Sequence, residues 1–252
     1  MDFTLSKYEQ LLKTIIAANL PVYTVKQWIT EQPSRGILLR HDVDRLPGNA
    51  LAMAALENRF NIRATYYFRI AQIPAKKYII RKIARAGHEI GYHYEELAHA
   101  HGNYSRALAL FEKNIAAIRR IADVSTIAMH GSPLSRYNNA DIWKESDFAR
   151  YGICGDAMLS IDYTNMYYFS DAGRTWERYK NNIRDYTHSS KKPSALIATT
   201  DDLIDCIHKN PHHRFALTVH PERWNDALIM WALYRAFDYA ANSIKAIIKS
   251  IR

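Results

Sequence analysis

Apolar residues recur along this chain with two alternating periods. Leu5, Tyr8, Leu11, Leu12, Ile15 and Ile16 stand at helical spacing and predict a helix over residues 4–20, stopped by Pro21. A short helix over Val25–Glu31 follows. Gly36–Asp44 (GILLRHDVD) is an apolar run ending in charged residues, the pattern of a buried strand with a polar tip. The periods then alternate: helix Leu46–Phe60, strand Ile62–Phe68, helix Lys76–Ala86 ended by Gly87, strand His88–Tyr94, helix Tyr104–Ile121, strand Thr126–His130. The second half is less regular. It predicts a short helix over Asp141–Ala149, strands at Tyr151–Cys154 and Met166–Phe169, and a long polar loop over 170–195. A helix over Asp201–His208, capped by Thr199 or Thr200, precedes a strand over Phe215–His220. Arg223–Arg252 predicts a long helix. Met230, Leu233, Tyr234 and Phe237 share one face, and so do Ile244, Ile247, Ile248 and Ile251.

Strands that alternate with helices of about ten to fifteen residues imply parallel βαβ units. Titratable side chains gather at the ends of the predicted strands: Asp42 and Asp44, then His93, then His130, then His220. Parallel sheets and barrels build their sites at that carboxyl end, so separate strands deliver these groups to one rim. No linker or repeat divides the chain. The reading is one domain, with residues 1–35 as a helical extension, 36–222 as the core and 223–252 as the last helix.

Composition sets bounds on this picture. A length of 252 residues with 48% hydrophobic and 23% charged residues suits a folded α/β domain and excludes a disordered chain. Two isolated cysteines, Cys154 and Cys206, offer neither metal spacing nor a disulfide framework, and both read as small buried hydrophobes. The start of the chain has an acid at Asp2, no basic leader, and polar residues within its apolar stretch, unlike a signal peptide. No run of about 18 apolar residues occurs. The expected location is therefore the cytoplasm. The formal charge of +9 would attract anionic partners such as phosphate-linked sugars, lipid headgroups or nucleic acid. The densest basic group, Lys76, Lys77, Arg81, Lys82 and Arg85, has helical spacing and reads as a solvated face. No nucleic-acid-binding motif is present, so no nucleic-acid partner is expected.

Two segments carry the candidate chemistry. In Arg40-His41-Asp42-Val43-Asp44, residues two apart in a strand point the same way, so Asp42 and Asp44 can share a pocket. Two close carboxylates repel unless a cation or proton lies between them. A divalent metal resolves this, with one aspartate as ligand and the other free as base; a turn or capping role at the strand end is the plainer alternative. In Gly87-His88-Glu89-Ile90-Gly91-Tyr92-His93-Tyr94-Glu95-Glu96, His93 can offer a neutral imidazole to zinc. His88 reads as a structural hydrogen-bonding residue. No Gly-x-Ser-x-Gly occurs, which argues against a serine hydrolase.

Asp-x-Asp after a buried strand, followed by Gly-His-Glu-Ile-Gly-x-His, resembles the polysaccharide deacetylases, also called carbohydrate esterase family four or the NodB homology domain. The likeness extends to Met129-His130-Gly131-Ser132-Pro133 and Val219-His220-Pro221, across roughly residues 36–222. Within that family the chain most resembles the branch associated with O-antigen and capsule biosynthesis. The resemblance implies a distorted (β/α) barrel, commonly of seven strands, and removal of N- or O-acetyl groups from a saccharide, either nucleotide-linked or lipid-linked. It implies zinc, or another divalent metal such as cobalt or manganese. Asp42 matches the catalytic base, Asp44 the metal aspartate, His93 the first metal histidine, and His220 the general acid. Two departures stand out. The family's second metal histidine falls at Leu97, which cannot bind a metal, and His130-Gly131-Ser132-Pro133 stands where an arginine-proline motif is usual. The third ligand is then expected from His130 first, from Glu95 or Glu96 next, and then from His99 or His101. A site with two protein ligands, in a degenerate glycan-binding or assembly protein, is the alternative.

Further segments could shape a saccharide site. Tyr168–Trp176 combines Asp171, Arg174 and Trp176 in a predicted loop, and Trp224 lies beside His220 in Glu222-Arg223-Trp224. These four side chains are the candidate substrate contacts. Each segment also has a purely structural reading, as an Ω-loop and as a helix start. The last helix, with Lys245, Lys249 and Arg252, is expected to pack on the barrel, with weak peripheral contact to an anionic membrane as the second option.

Overall fold

The computed structural model describes the backbone of residues 1–177 and 191–251. Its helices are α1 (Leu5–Ala17), α2 (Val25–Glu31), α3 (Pro47–Arg59), α4 (Ile73–Arg85), α5 (Glu96–His99), α6 (Tyr104–Arg119), α7 (Thr200–Lys209) and α8 (Leu228–Ile251). Its strands are β1 (Val22–Tyr23), β2 (Gly36–Val43), β3 (Thr65–Phe68), β4 (Glu89–Tyr94), β5 (Val124–Met129), β6 (Gly155–Asp156), β7 (Met166–Ser170) and β8 (Arg214–Val219). Seven strands pair in the order β6-β5-β4-β3-β2-β8-β7, and β1 adds to β2 off that path. Every pairing is parallel. The result is a curled, incompletely closed (β/α) barrel, with the path ending at β6 and β7.

Period-two alternation divides each strand between two apolar layers. Ile37, Leu39 and Val43 of β2 join Tyr66, Phe68, Tyr92, Phe215 and Leu217 in the large layer shared with the helices. Leu38 joins Tyr67, Ala128, Met166, Tyr168 and Ala216 in a smaller inner cluster that also takes Val25 and Trp28 from α2. The inner positions grow polar toward the strand ends: Leu38, Arg40, Asp42 on β2, and Ala216, Thr218, His220 on and after β8. Gly91 faces this interior. A Cβ there would lie 2.2 Å from the Tyr67 ring, so only glycine lets that ring cross to Thr126, where its hydroxyl donates at 3.0 Å. Helix α2 covers the opposite end: the Val25 and Lys26 amides donate to Thr65 Oγ1 and Glu89 Oε2. One mouth is closed and the carboxyl mouth carries the titratable groups.

The local signals explain most boundaries. Thr4 and Thr24 cap α1 and α2, and Thr199 caps α7 through a capping box with Asp202. Thr199→Ala is expected to cost about 1 kcal/mol, lowering the melting temperature by about 2–4 °C; an unchanged melting curve would show the cap to be idle. Several expectations change. Helix α1 ends at Ala17, ahead of Pro21, because the chain turns through left-handed Asn19 (φ 50°). The helix expected over Asp141–Ala149 is two 3-10 turns, Asn139–Lys144 and Phe148–Tyr151, and the strand expected at Tyr151–Cys154 is the two-residue β6 beyond it. Residues 1–35, read as an extension, contribute β1 to the sheet and Trp28 to the interior. Cys206 is buried as expected, but Cys154 is exposed. Part of the loop expected over 170–195, and the side chains of Ile244, Ile247, Ile248 and Ile251, lie outside the described residues. Among the described residues no helix is long and apolar enough to cross a membrane.

Candidate functional site

Strand register builds the site. Val43 pairs with Phe68, Phe68 with Tyr92, and Tyr92 with Ile127. Asp44 and His93 each stand one residue beyond that level, and His130 follows the end of β5. On the other side of β2, His41 pairs with Val219, so His220 lies next to the Asp42 level. Asp42, Asp44, His93, His130 and His220 therefore meet at one rim, while His41, one residue before Asp42, faces the helices, with its Nε2 2.6 Å from Glu57 Oε1.

Asp44 is the hub. His93 Nε2 lies 3.3 Å and His130 Nε2 3.6 Å from Asp44 Oδ1, and the two imidazole centroids are 5.3 Å apart. The other ring nitrogen of each histidine is already engaged. His93 Nδ1 is 2.9 Å from the Ala128 carbonyl, and His130 Nδ1 is 2.9 Å from Glu95 Oε2 and 3.1 Å from Ser132 Oγ. Such partners fix ring orientation and leave Nε2 to bind something else. Glu95 is itself gripped by Arg69 through Nε at 2.9 Å and Nη2 at 2.8 Å. Burial would raise the Glu95 carboxyl, but His130 and Arg69 hold it down at about 2.

Asp42 is buried beside this group. Its Oδ2 accepts from Arg40 Nη2 at 3.2 Å and lies 4.0 Å from His93 Nε2. Arg40 Nε donates to Thr218 Oγ1 at 3.0 Å, tying the pair to β8. Asp42 Oδ1 and Asp44 Oδ1 are both buried without a hydrogen-bond partner. Burial opposes charge on His93, yet Asp42 and Asp44 outweigh it and push its pKa up to about 9. Burial likewise opposes charge on Asp44, but His130 and His93 hold that carboxyl well below the usual carboxylate range.

Facing them, His220 forms a dyad with Asp171. Its Nδ1 stands 2.6 Å from Asp171 Oδ1, and its backbone amide donates to the same carboxylate. Arg223 Nη1 at 3.0 Å and Trp224 Nε1 at 2.8 Å complete the shell of donors. Burial and Arg223 oppose protonation of His220, but Asp171 and Asp44 prevail and raise its pKa. Glu222 is pushed up to about 7, first by burial and then by the charge of Asp44.

The expected substrate contacts lie elsewhere than on an open surface. Asp171, Trp176 and Trp224 have 0% exposure. Asp171 is saturated by the donors above, Trp176 Nε1 donates to Thr200 Oγ1, and neither indole has a free face for a sugar ring. Arg174 spends its Nε on Asp238 Oδ2 at 2.7 Å. The other ligand candidates are also accounted for. Glu96 accepts from Tyr92 and Asn114 behind the strand, His99 and His101 are exposed, and Leu97 is in the core. His88 is buried against the Ala54 carbonyl and the Ala64 amide, a structural role. Arg40 escaped prediction as a site residue, and Glu222 stands out in the sequence only as part of the Glu222-Arg223-Trp224 segment beside His220. The alternation that pairs Asp42 with Asp44 also puts Arg40 on their side, which was the available signal.

Among the described residues no group of three or more His, Cys, Asp or Glu side chains stands as a formed cation site. The pair spacings still suit one. Ligands on a tetrahedral zinc at about 2.0–2.2 Å lie roughly 3.4 Å apart, close to the 3.3 and 3.6 Å that separate Asp44 from the two histidines. Two oriented imidazoles and a carboxylate with an orphaned oxygen make a donor set that fits zinc or a similar divalent ion.

No protein-family profile and no curated protein matches the sequence. Among solved structures, the chain is similar to a Streptococcus mutans CE4 esterase, with 14% identity over 88% of this chain and 89% of that chain and a TM-score of 0.48. It is also similar to a CE4 family pseudoenzyme from Bacillus anthracis, with 12% identity and a TM-score of 0.44. That match takes in 85% of this chain but only 60% of the Bacillus protein, which is the longer of the two. The side chains, not these likenesses, carry the chemistry.

Proposed function

We propose that this chain is a metal-dependent hydrolase that removes an N- or O-acetyl group from a saccharide, in the synthesis of a cell-surface polysaccharide such as O-antigen. The supporting observation is the meeting of Asp44, His93 and His130 beside a buried Asp42 whose Oδ1 has no partner, next to the His220–Asp171 dyad. Asp44 Oδ1 and the Nε2 atoms of His93 and His130 would hold the cation. Bound there, a divalent ion supplies Lewis acidity toward an acyl oxygen and makes water more acidic. Asp42 Oδ1 accepts the proton of the attacking water, and Arg40 keeps the carboxylate oriented through its bond to Oδ2. His220, carried in its protonated form by Asp171, donates from Nε2 to the departing nitrogen or oxygen. A positioned dyad of this kind needs no covalent acyl-enzyme.

A second reading, a non-catalytic glycan-binding or assembly protein, is motivated by Leu97 in place of a ligand. Metal uptake separates the two. Protein equilibrated with zinc, cobalt or manganese and then dialysed is expected to keep about one ion per chain. His93→Ala and His130→Ala should each lose it, because two ligands remain. Wild-type protein that retains none of the three metals yet binds saccharide would sink the hydrolase reading and favour the second.

A further inference from the structure

Among its described side chains, helix α8 meets the rest of the protein along a polar edge. Asp238 fastens it: Oδ2 accepts from Arg174 Nε at 2.7 Å, and Oδ1 stands 3.5 Å from Arg45 Nη2. Trp231 Nε1 donates to the Asp2 carbonyl at 2.8 Å, and Asn242 Nδ2 to the Gly173 carbonyl at 3.2 Å. Residues 231, 238 and 242 share one side of a 3.6-residue period. The opposite side carries Ile229, Leu233 and Phe237, which are 75%, 59% and 55% exposed. Leu228 and Met230 beside them are exposed too. Periodicity predicts that this apolar face packs on the barrel, but the polar edge docks and the apolar face points outward. A contiguous apolar face left in water marks a surface that something else covers.

We propose that this face of α8 seats the protein on an anionic lipid surface, with the helix lying in the plane of the headgroups. Charge selects that occupant over a second copy of the chain. The protein carries a formal +9, so two copies brought face to face repel, whereas an anionic leaflet attracts. The only acid in the α8 sequence is Asp238, and it is buried between Arg174 and Arg45. The exposed part of the helix therefore presents no carboxylate to repel phosphate. The Arg45 guanidinium lies 4.4 Å from the Phe237 ring centroid, joining a cation to the rim of the apolar face. An amphipathic helix with one face held by polar contacts lies on a membrane and does not span it. Arg45 directly follows Asp44, so docking would bring the mouth of the barrel close to lipid-attached glycans.

Co-sedimentation with vesicles tests the proposal. The full chain is mixed with vesicles of phosphatidylcholine alone or with phosphatidylglycerol added. Binding is expected on the anionic vesicles, weakening as salt is raised. Ile229→Glu with Leu233→Glu should lower the bound fraction about tenfold or more, with an unchanged circular dichroism spectrum since both positions are exposed. Failure of the wild type to bind anionic vesicles, or equal binding by the double variant, overturns the proposal. So does a wild-type dimer in sedimentation velocity that the double variant loses, since a second copy would then own this face. None of these readouts depends on the metal site, so they fail or succeed apart from the hydrolase reading.

Discussion

Asp42→Asn is expected to lower acetate release by about a thousandfold, within the range general base catalysis contributes, while the bound metal is retained. The amide matches the carboxylate in shape but cannot take a proton from water at pH 7. The change corresponds to about 4 kcal/mol of transition-state stabilisation. The position is well suited to the test. Asp42 is 2% exposed, one oxygen is held by Arg40, and the other has no partner. Arg40 keeps its bond from Nε to Thr218 in the variant, so the fold should survive. The measurement is acetate release from acetylated saccharide, alongside metal content and the urea midpoint. Loss of metal together with activity would make Asp42 a ligand and not a base. Activity within tenfold of wild type would end the assignment outright.

Much of the rim was legible because strands alternate. Asp42 and Asp44 stand two apart, and that spacing alone puts both in the interior and turns His41 away. Gly91, two residues before His93 on β4, is explained by the Tyr67 ring that crosses above it. What periodicity cannot give is which partner a polar side chain finds across the fold. Asp171, Arg174 and Trp176 in a polar stretch look like sugar contacts, yet Asp171 collects donors from His220, Arg223 and Trp224 on a distant segment. The same blindness affects α8. An amphipathic pattern identifies an apolar face, and the usual inference is that it docks. Here Asp238 finds two arginines that come from different loops, and these pairings hold the polar edge inward. Short elements fail for another reason: two residues of β6 contain no period to detect.

Glu57→Gln is expected to destabilise the protein by about 3–5 kcal/mol at pH 7, the usual loss when one member of a buried charged network is removed. Glu57 has 0% exposure and lies on the helix-facing side of β2. Its carboxylate accepts from Tyr8 and from Tyr66 at 2.7 Å, and His41 Nε2 stands 2.6 Å away. Glutamine would turn an amino group toward donors and leave at least one buried hydroxyl unpaired. Burial pushes the Glu57 pKa up, but His41 and His88 outweigh it and bring it below the ordinary value. The folded-state pKa is thus lower than that of an unfolded glutamate, about 4.3. The stabilisation is fully present above that value and declines as pH falls toward the folded pKa. Urea unfolding of both proteins at pH 7 and pH 3 checks the sign: the gap should narrow in acid. A gap that stays the same at both pH values would mean that Glu57 acts by shape alone and that its charge is not what joins α1, α3 and β2 behind the site.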